Sequence, residues 1–113
     1  MNCLFCKIVE KTIPANIVFE SDELVAFRDI APQSPHHILI IPKKHIQSLN
    51  QATNDEQLLM GSLLLTAQKI AKSLEIENNG YRLVMNTGTH GGQTVEHIHL
   101  HLLAGRQMHW PPG

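Results

Sequence analysis

Residues 97–101 read His97-Ile98-His99-Leu100-His101, with Leu102 and Leu103 behind them. In an extended segment successive side chains point to opposite faces, so the three imidazoles share one face and Ile98, Leu100 and Leu102 the other. The apolar alternates set the register, because a slip of one residue would bury the imidazoles and expose the leucines. Imidazole exchanges protons near neutral pH, attacks phosphorus when neutral and ligates metals. Three chemistries are open to such a stretch. It is a solvent-facing strand that happens to be rich in histidine, or two of its rings share a zinc ion. In the third, one ring attacks phosphorus, a neighbour holds its tautomer and donors stabilise the phosphate oxygens. A nucleophilic imidazole needs an orienting partner. His37, opening an earlier apolar run, supplies one; His36 competes for that part and is otherwise expected at the surface.

Cys3 and Cys6 lie at C-x-x-C spacing. They are a redox pair, half of a zinc site or two idle thiols. A thioredoxin-like use needs a preceding strand and a βαβ context, and neither is present. Zinc needs further ligands, for which His45 and His97 are available. Thr87–Thr94 (TGTHGGQT) is a glycine-rich loop feeding directly into the histidine stretch, where a side chain at Gly92 would obstruct a phosphate.

The elements that must position these residues are legible. Residues 3–10 form a short helix with Leu4, Phe5, Ile8 and Val9 on one side. Ile17–Glu20 and Leu24–Arg28 are β-prone runs around a hairpin signal, Ser21-Asp22-Glu23. His37–Ile41 is a buried strand stopped by Pro42, and 43–46 make a helical turn. Thr53 and Glu56 form a capping box, followed by a long helix over about 54–75. Its buried stripe is Leu59, Leu63, Thr66, Ile70 and Leu74. Tyr81–Asn86 and Val95–Leu103 complete the strands. The order β-β-β-α-β-β behind a short helix implies an α+β domain with a mostly antiparallel sheet and a helix on one face.

Composition narrows the function classes. A chain of 113 residues is one domain, 1–113, with one modest core. Net charge of −1 gives no electrostatic track for nucleic acid, and 4% aromatics give no base-stacking platform. No apolar run reaches the roughly 20 residues of a membrane span. The start, MNCLFCKIVEKT, lacks the pattern of a signal peptide, and two cysteines fit a reducing cytoplasm. Eight histidines are the compositional signal, since so short a chain has no other abundant titratable group near pH 7.

The run His97-x-His99-x-His101-Leu-Leu resembles the signature of the histidine triad (HIT) family. The end, Gly105-Arg-Gln-Met-His-Trp-Pro-Pro-Gly113, is similar to its Hint branch of purine nucleoside phosphoramidases. The likeness runs from about Phe5 to the last residue. It implies a HIT-like fold, with five strands, one long helix and a short N-terminal helix, paired into a homodimer with the long helix at the interface. It implies that His99 is the nucleophile, that His101 contacts the phosphate and that His37 supports them. Thr94 stands where the branch usually has serine and keeps the hydroxyl. Asn86, Gly92 and Gln93 match phosphate or ribose contacts, the last two through backbone N–H groups. Phe27, Asp29 and Ile30 match the nucleoside pocket, with Arg28 replacing a frequent histidine. Trp110 matches a residue that reaches the partner subunit's site. Some bacterial members hold structural zinc with a set matching Cys3, Cys6, His45 and His97, although the Hint branch often lacks the cysteines.

The expected activity is hydrolysis of a nucleoside 5′-phosphoramidate or adenylylated amine to AMP and amine through a nucleotidyl-histidine, with no catalytic cofactor. The alternatives are a nucleotide-binding interaction module with incidental catalysis, a dinucleoside polyphosphate hydrolase, and a hydrolase using zinc on the triad.

Overall fold

The computed structural model describes residues 3–113. A short helix, α1 (Leu4–Val9), precedes strands β1 (Ile17–Glu20), β2 (Leu24–Arg28) and β3 (His36–Pro42). Two 3₁₀ turns at Leu49–Gln51 and Asn54–Glu56 lead into α2 (Gln57–Ser73). Strand β4 (Arg82–Val84), the one-turn helix α3 (Gly88–Gly91) and strand β5 (Leu100–Ala104) follow. The strands form one antiparallel sheet in the order β1-β2-β3-β5-β4.

Each face of the sheet has its own core. Ile38 and Ile40 of β3 and Ile98, Leu100 and Leu102 pack against Leu59, Leu63, Ala67 and Ile70 of α2. The expected stripe is thus the buried one, with Leu74 at the helix end only partly buried. Burying a side chain of this size contributes about 1.5–3 kcal/mol. On the opposite face Val25, Phe27, Leu39 and Ile41 pack against Phe5 and Ile8 of α1. The alternation in β3 and β5 therefore divides the chain into a long-helix side and a short-helix side.

Local rules account for the ends of the elements. Thr53 and Glu56 form the reciprocal capping box, but it caps a 3₁₀ turn that continues into α2. Asp29 bends the chain after β2 by accepting the Ala31 N–H at 2.9 Å. Pro42 ends β3 from inside the strand, as its last residue. Residues 43–46 bend without forming the expected helical turn, because the Ile46 carbonyl accepts the Ile98 N–H at 2.8 Å. That bond holds 98 beside 46 and delays the ladder to Leu100, so the histidine strand begins five residues later than its alternation suggests. At the other end Gly105 turns with φ +97°. Arg106 Nε then donates to the Gln33 carbonyl at 3.0 Å, and the Arg82 guanidinium donates to the His109 carbonyl at 2.9 Å.

Candidate active site and metal cluster

The imidazoles gather on the short-helix side of the sheet. In the β3–β5 ladder His37 faces Leu103 and Leu39 faces His101. His37 and His101 are diagonal neighbours on one face, close enough for their rings to touch. His37 Nε2 lies 2.9 Å from His101 Nδ1. The His99 and His101 ring centroids are 5.0 Å apart. Phe5 of α1 meets the His99 ring edge-on at 5.1 Å and the Phe27 ring at 5.5 Å.

Backbone partners assign the protons. His99 Nδ1 lies 2.7 Å from the His97 carbonyl. A carbonyl only accepts, so Nδ1 carries the proton and Nε2 keeps its lone pair. The Gln33 N–H donates to His37 Nδ1 at 3.0 Å. An amide N–H only donates, so neutral His37 carries its proton on Nε2 and gives it to His101 Nδ1. His101 in turn presents Nε2–H. The pair thus offers a nucleophilic nitrogen on His99 and a donor on His101. Burial, followed by the neighbouring His99 and His37, pushes His101 down to about 4 against the pull of Asp29. Burial likewise lowers His37, with Asp29 opposing. Both shifts favour the neutral rings, the form in which His37 Nε2 donates to His101 Nδ1. The Asp29 carboxylate stands 3.5 Å from His37 Nε2.

A cavity of about 290 Å³ opens beside these rings. Of the residues singled out in the sequence, Phe27, Asp29, Ile30, Thr94, His99 and His101 line it, as does Arg28. Phe27 is both core and pocket wall, since it is only 4% exposed. His37 stands behind His101 rather than in the cavity. Asn86, Gly92, Gln93 and Trp110 are outside the lining, and Trp110 is 83% exposed. The Gly92 and Gln93 amides are committed to the α3 turn, donating to the Thr89 and Gly88 carbonyls at 3.1 Å each. That corrects the expectation that they face a phosphate. The Gln93 side chain is instead a clamp: its amide donates to the Gln47 carbonyl at 2.8 Å and the Val95 carbonyl at 3.1 Å, and accepts the Gly88 N–H at 3.0 Å. His36 is half-buried with a buried Nδ1 that has no hydrogen bond, not a surface residue.

Sequence reasoning missed the short-helix contribution. Phe5, Ile8, Ile13 and Ala15 supply the apolar side of the cavity. The spacing of Phe5 and Ile8 on the short helix was visible, but it reads as ordinary packing. The backbone groups of Gln33 and His97 left no signal, because any residue type supplies them.

A second cluster adjoins the first. Cys3 Sγ lies 3.3 Å from His97 Nδ1, and Cys6 Sγ 3.4 Å from His45 Nδ1 and 3.7 Å from His97 Nδ1. The His45 and His97 Nδ1 atoms are 3.2 Å apart. Four donors on a tetrahedral zinc at usual bond lengths stand about 3.3 Å (N to N) and about 3.6 Å (S to N) apart. The observed spacings are those edges. His97 Nε2 donates to the Pro42 carbonyl at 2.8 Å, which leaves Nδ1 as the ligating lone pair and fixes the ring. Burial, then Cys3, pushes the Cys6 thiol up to about 11, a position that a bound dication reverses by favouring thiolate. The donor set fits zinc, and four protein ligands leave no open coordination position for a substrate.

A sequence model of the HIT domain matches residues 10–108. An uncharacterized HIT-like protein of Synechococcus elongatus is 56% identical over 110 residues, 97% of this chain and 96% of that protein. The crystal structure of a HIT family hydrolase from Legionella pneumophila superposes with a TM-score of 0.97 at 55% identity, covering 99% of this chain and 100% of that one. A histidine triad protein from Clostridium difficile gives a TM-score of 0.92 at 41% identity, over 95% and 93% of the two chains.

Proposed function

Because this chain belongs to the HIT domain family, we propose that it is a nucleotide hydrolase of the Hint type, cleaving purine nucleoside 5′-phosphoramidates or adenylylated amines. The observation that carries this reading is the proton assignment at His99: its Nδ1–H is held by the His97 carbonyl while the ring lines the cavity. His99 Nε2 attacks the α-phosphorus, the phosphorus–nitrogen bond breaks, and the amine leaves after gaining a proton through the histidine cluster with Thr94 nearby. Water then attacks the nucleotidyl-histidine and releases AMP. His101 donates its Nε2–H to a phosphate oxygen, and His37 holds His101 in that tautomer. Phosphoryl chemistry of this kind depends on positioning and charge stabilisation, so no catalytic cofactor is assigned.

The nucleoside takes the apolar side of the cavity, its base between Phe27 and the fully exposed Ile30, its ribose hydroxyls on Asp29. Asn86 is assigned a ribose or phosphate contact on its match to the family pattern alone. Zinc on Cys3, Cys6, His45 and His97 is structural: it ties α1 to the histidine segment. The protein acts as a homodimer in the cytoplasm. Leu58, Leu64 and Leu65 leave an apolar face on α2, Leu58 being 87% exposed, and β4 is an edge strand of the sheet. A second copy covering that face brings its Trp110 to this site. The two thiols suit a reducing compartment, and among the described residues no helix is long and apolar enough to cross a membrane.

The test is turnover of adenosine phosphoramidate beside diadenosine polyphosphates, with trapping of labelled nucleotidyl-enzyme. Label on His99 and preference for the phosphoramidate support the reading; label on another residue, or no phosphoramidate turnover, rejects it.

A further inference from the structure

A larger cavity, about 500 Å³, lies next to the nucleoside cavity. The two share Leu4, Thr94 and Val95. Thr94 therefore stands at the boundary between them, in the lining that also holds His99 and His101. The second cavity adds Gln47, Glu96, Cys3 and His45. Its walls are preformed, since the Gln93 clamp ties Gln47 to Val95.

The charge in this cavity is negative and unspent. Glu96 is the only lysine, arginine, aspartate or glutamate in the lining. Glu20 is held by Lys11 and Lys43, and Glu56 by Lys44. Among the described residues no cation stands within 4.0 Å of the Glu96 carboxylate. A carboxylate in a cavity repels phosphate chains and attracts ammonium or guanidinium groups.

We propose that this second cavity is the leaving-group subsite and that Glu96 selects amines carrying a second, distal positive charge. The inference rests on the phosphoramidase reading and names its substrate class. When the phosphorus–nitrogen bond breaks, the new bond is from His99 Nε2 to phosphorus, and the departing nitrogen takes a proton from solvent; the water that attacks the nucleotidyl-histidine in the second step returns one to solvent. The distal ammonium takes no part in bond making; Glu96 holds it while the α-phosphate sits at His99. The same carboxylate disfavours a nucleoside polyphosphate as leaving group.

The experiment uses three adenosine phosphoramidates of equal reach, made from diaminopentane (cationic), hexylamine (neutral) and aminohexanoate (anionic), on the full chain. The readout is the ratio of kcat/KM between them, so a variant that folds less well is normalised by its own neutral compound. The wild type is expected to favour the cationic over the neutral compound by about fivefold, the scale of one partly exposed charge pair. Added salt should shrink the ratio. Glu96→Gln should bring it near one, and Glu96→Lys should invert the order of cation and anion. Equal ratios in wild type and Glu96→Gln overturn the proposal. If none of the compounds is cleaved, the phosphoramidase reading fails by itself, and calorimetric binding of the same compounds decides the subsite. Charge preference lost in Glu96→Gln keeps it, and equal affinities remove it.

Discussion

The His97 carbonyl accepts the His99 Nδ1–H at 2.7 Å while the His97 ring, through Nδ1, faces Cys3 Sγ at 3.3 Å. One residue thus serves His99 with its backbone and the Cys–His cluster with its side chain. The two clusters share residue 97, so a disturbance of either is expected to reach the other.

Removing the nucleophile should separate chemistry from binding. His99→Ala is expected to lower kcat by about 10³-fold or more. AMP affinity, carried by the Phe27 and Asp29 side of the cavity, should change far less. Steady-state kinetics beside calorimetry checks this, and equal losses in both would contradict the role given to His99.

His37 should act through His101. His37→Ala removes the donor to His101 Nδ1, so His101 no longer has a fixed tautomer. We expect kcat to fall about 10²-fold with a small change in KM. Imidazole nitrogen shifts in NMR spectra should show His101 leaving its single Nε2–H form, a change that simple loosening of the sheet would not produce.

Acid should destabilise the fold through the same ring. His101 sits near 4 when folded against 6.5 as its ordinary value. Between those values the unfolded chain binds a proton that the folded chain refuses. Stability from this group is therefore full above about 6.5 and is lost as pH falls towards 4. Urea midpoints at pH 7 and pH 5 should show the decline, and His101→Asn should flatten it.

Metal removal should reach the nucleoside pocket before the chemistry. Cys3 and Cys6 flank Phe5, which packs on His99 and Phe27. Chelation, or Cys6→Ser, is expected to lower Tm, with KM rising more than kcat falls. Added zinc should restore the chelated wild type. A full and immediate loss of kcat with the fold intact would instead place the metal in the reaction.

Gly105→Ala should be costly. A Cβ there would meet Pro35 Cβ at 2.8 Å, and φ is +97°. The strain alone is about 1–3 kcal/mol, readable as a lower midpoint in thermal unfolding.

The sequence was most readable where neighbours in the chain decide the structure. β1 and β2 fall at the expected residues, and the 53–56 capping box and the apolar alternates of 98–102 do what their spacing implies. It was least readable where distant partners decide. Ile46 captures residue 98 and shortens the histidine strand; the chain also inserts β5 between β3 and β4. His99, His101 and His37 announced themselves by residue type. The Gln33 amide and the His97 carbonyl, which set their protons, belong to the backbone and have no letter in the sequence.

Gln33 uses both ends of its peptide environment: its N–H anchors His37, and its carbonyl holds Arg106. The C-terminal tail and the imidazole relay are therefore leashed to the same hinge of chain. Whatever tugs the tail pulls on the protonation pattern of His37 and His101.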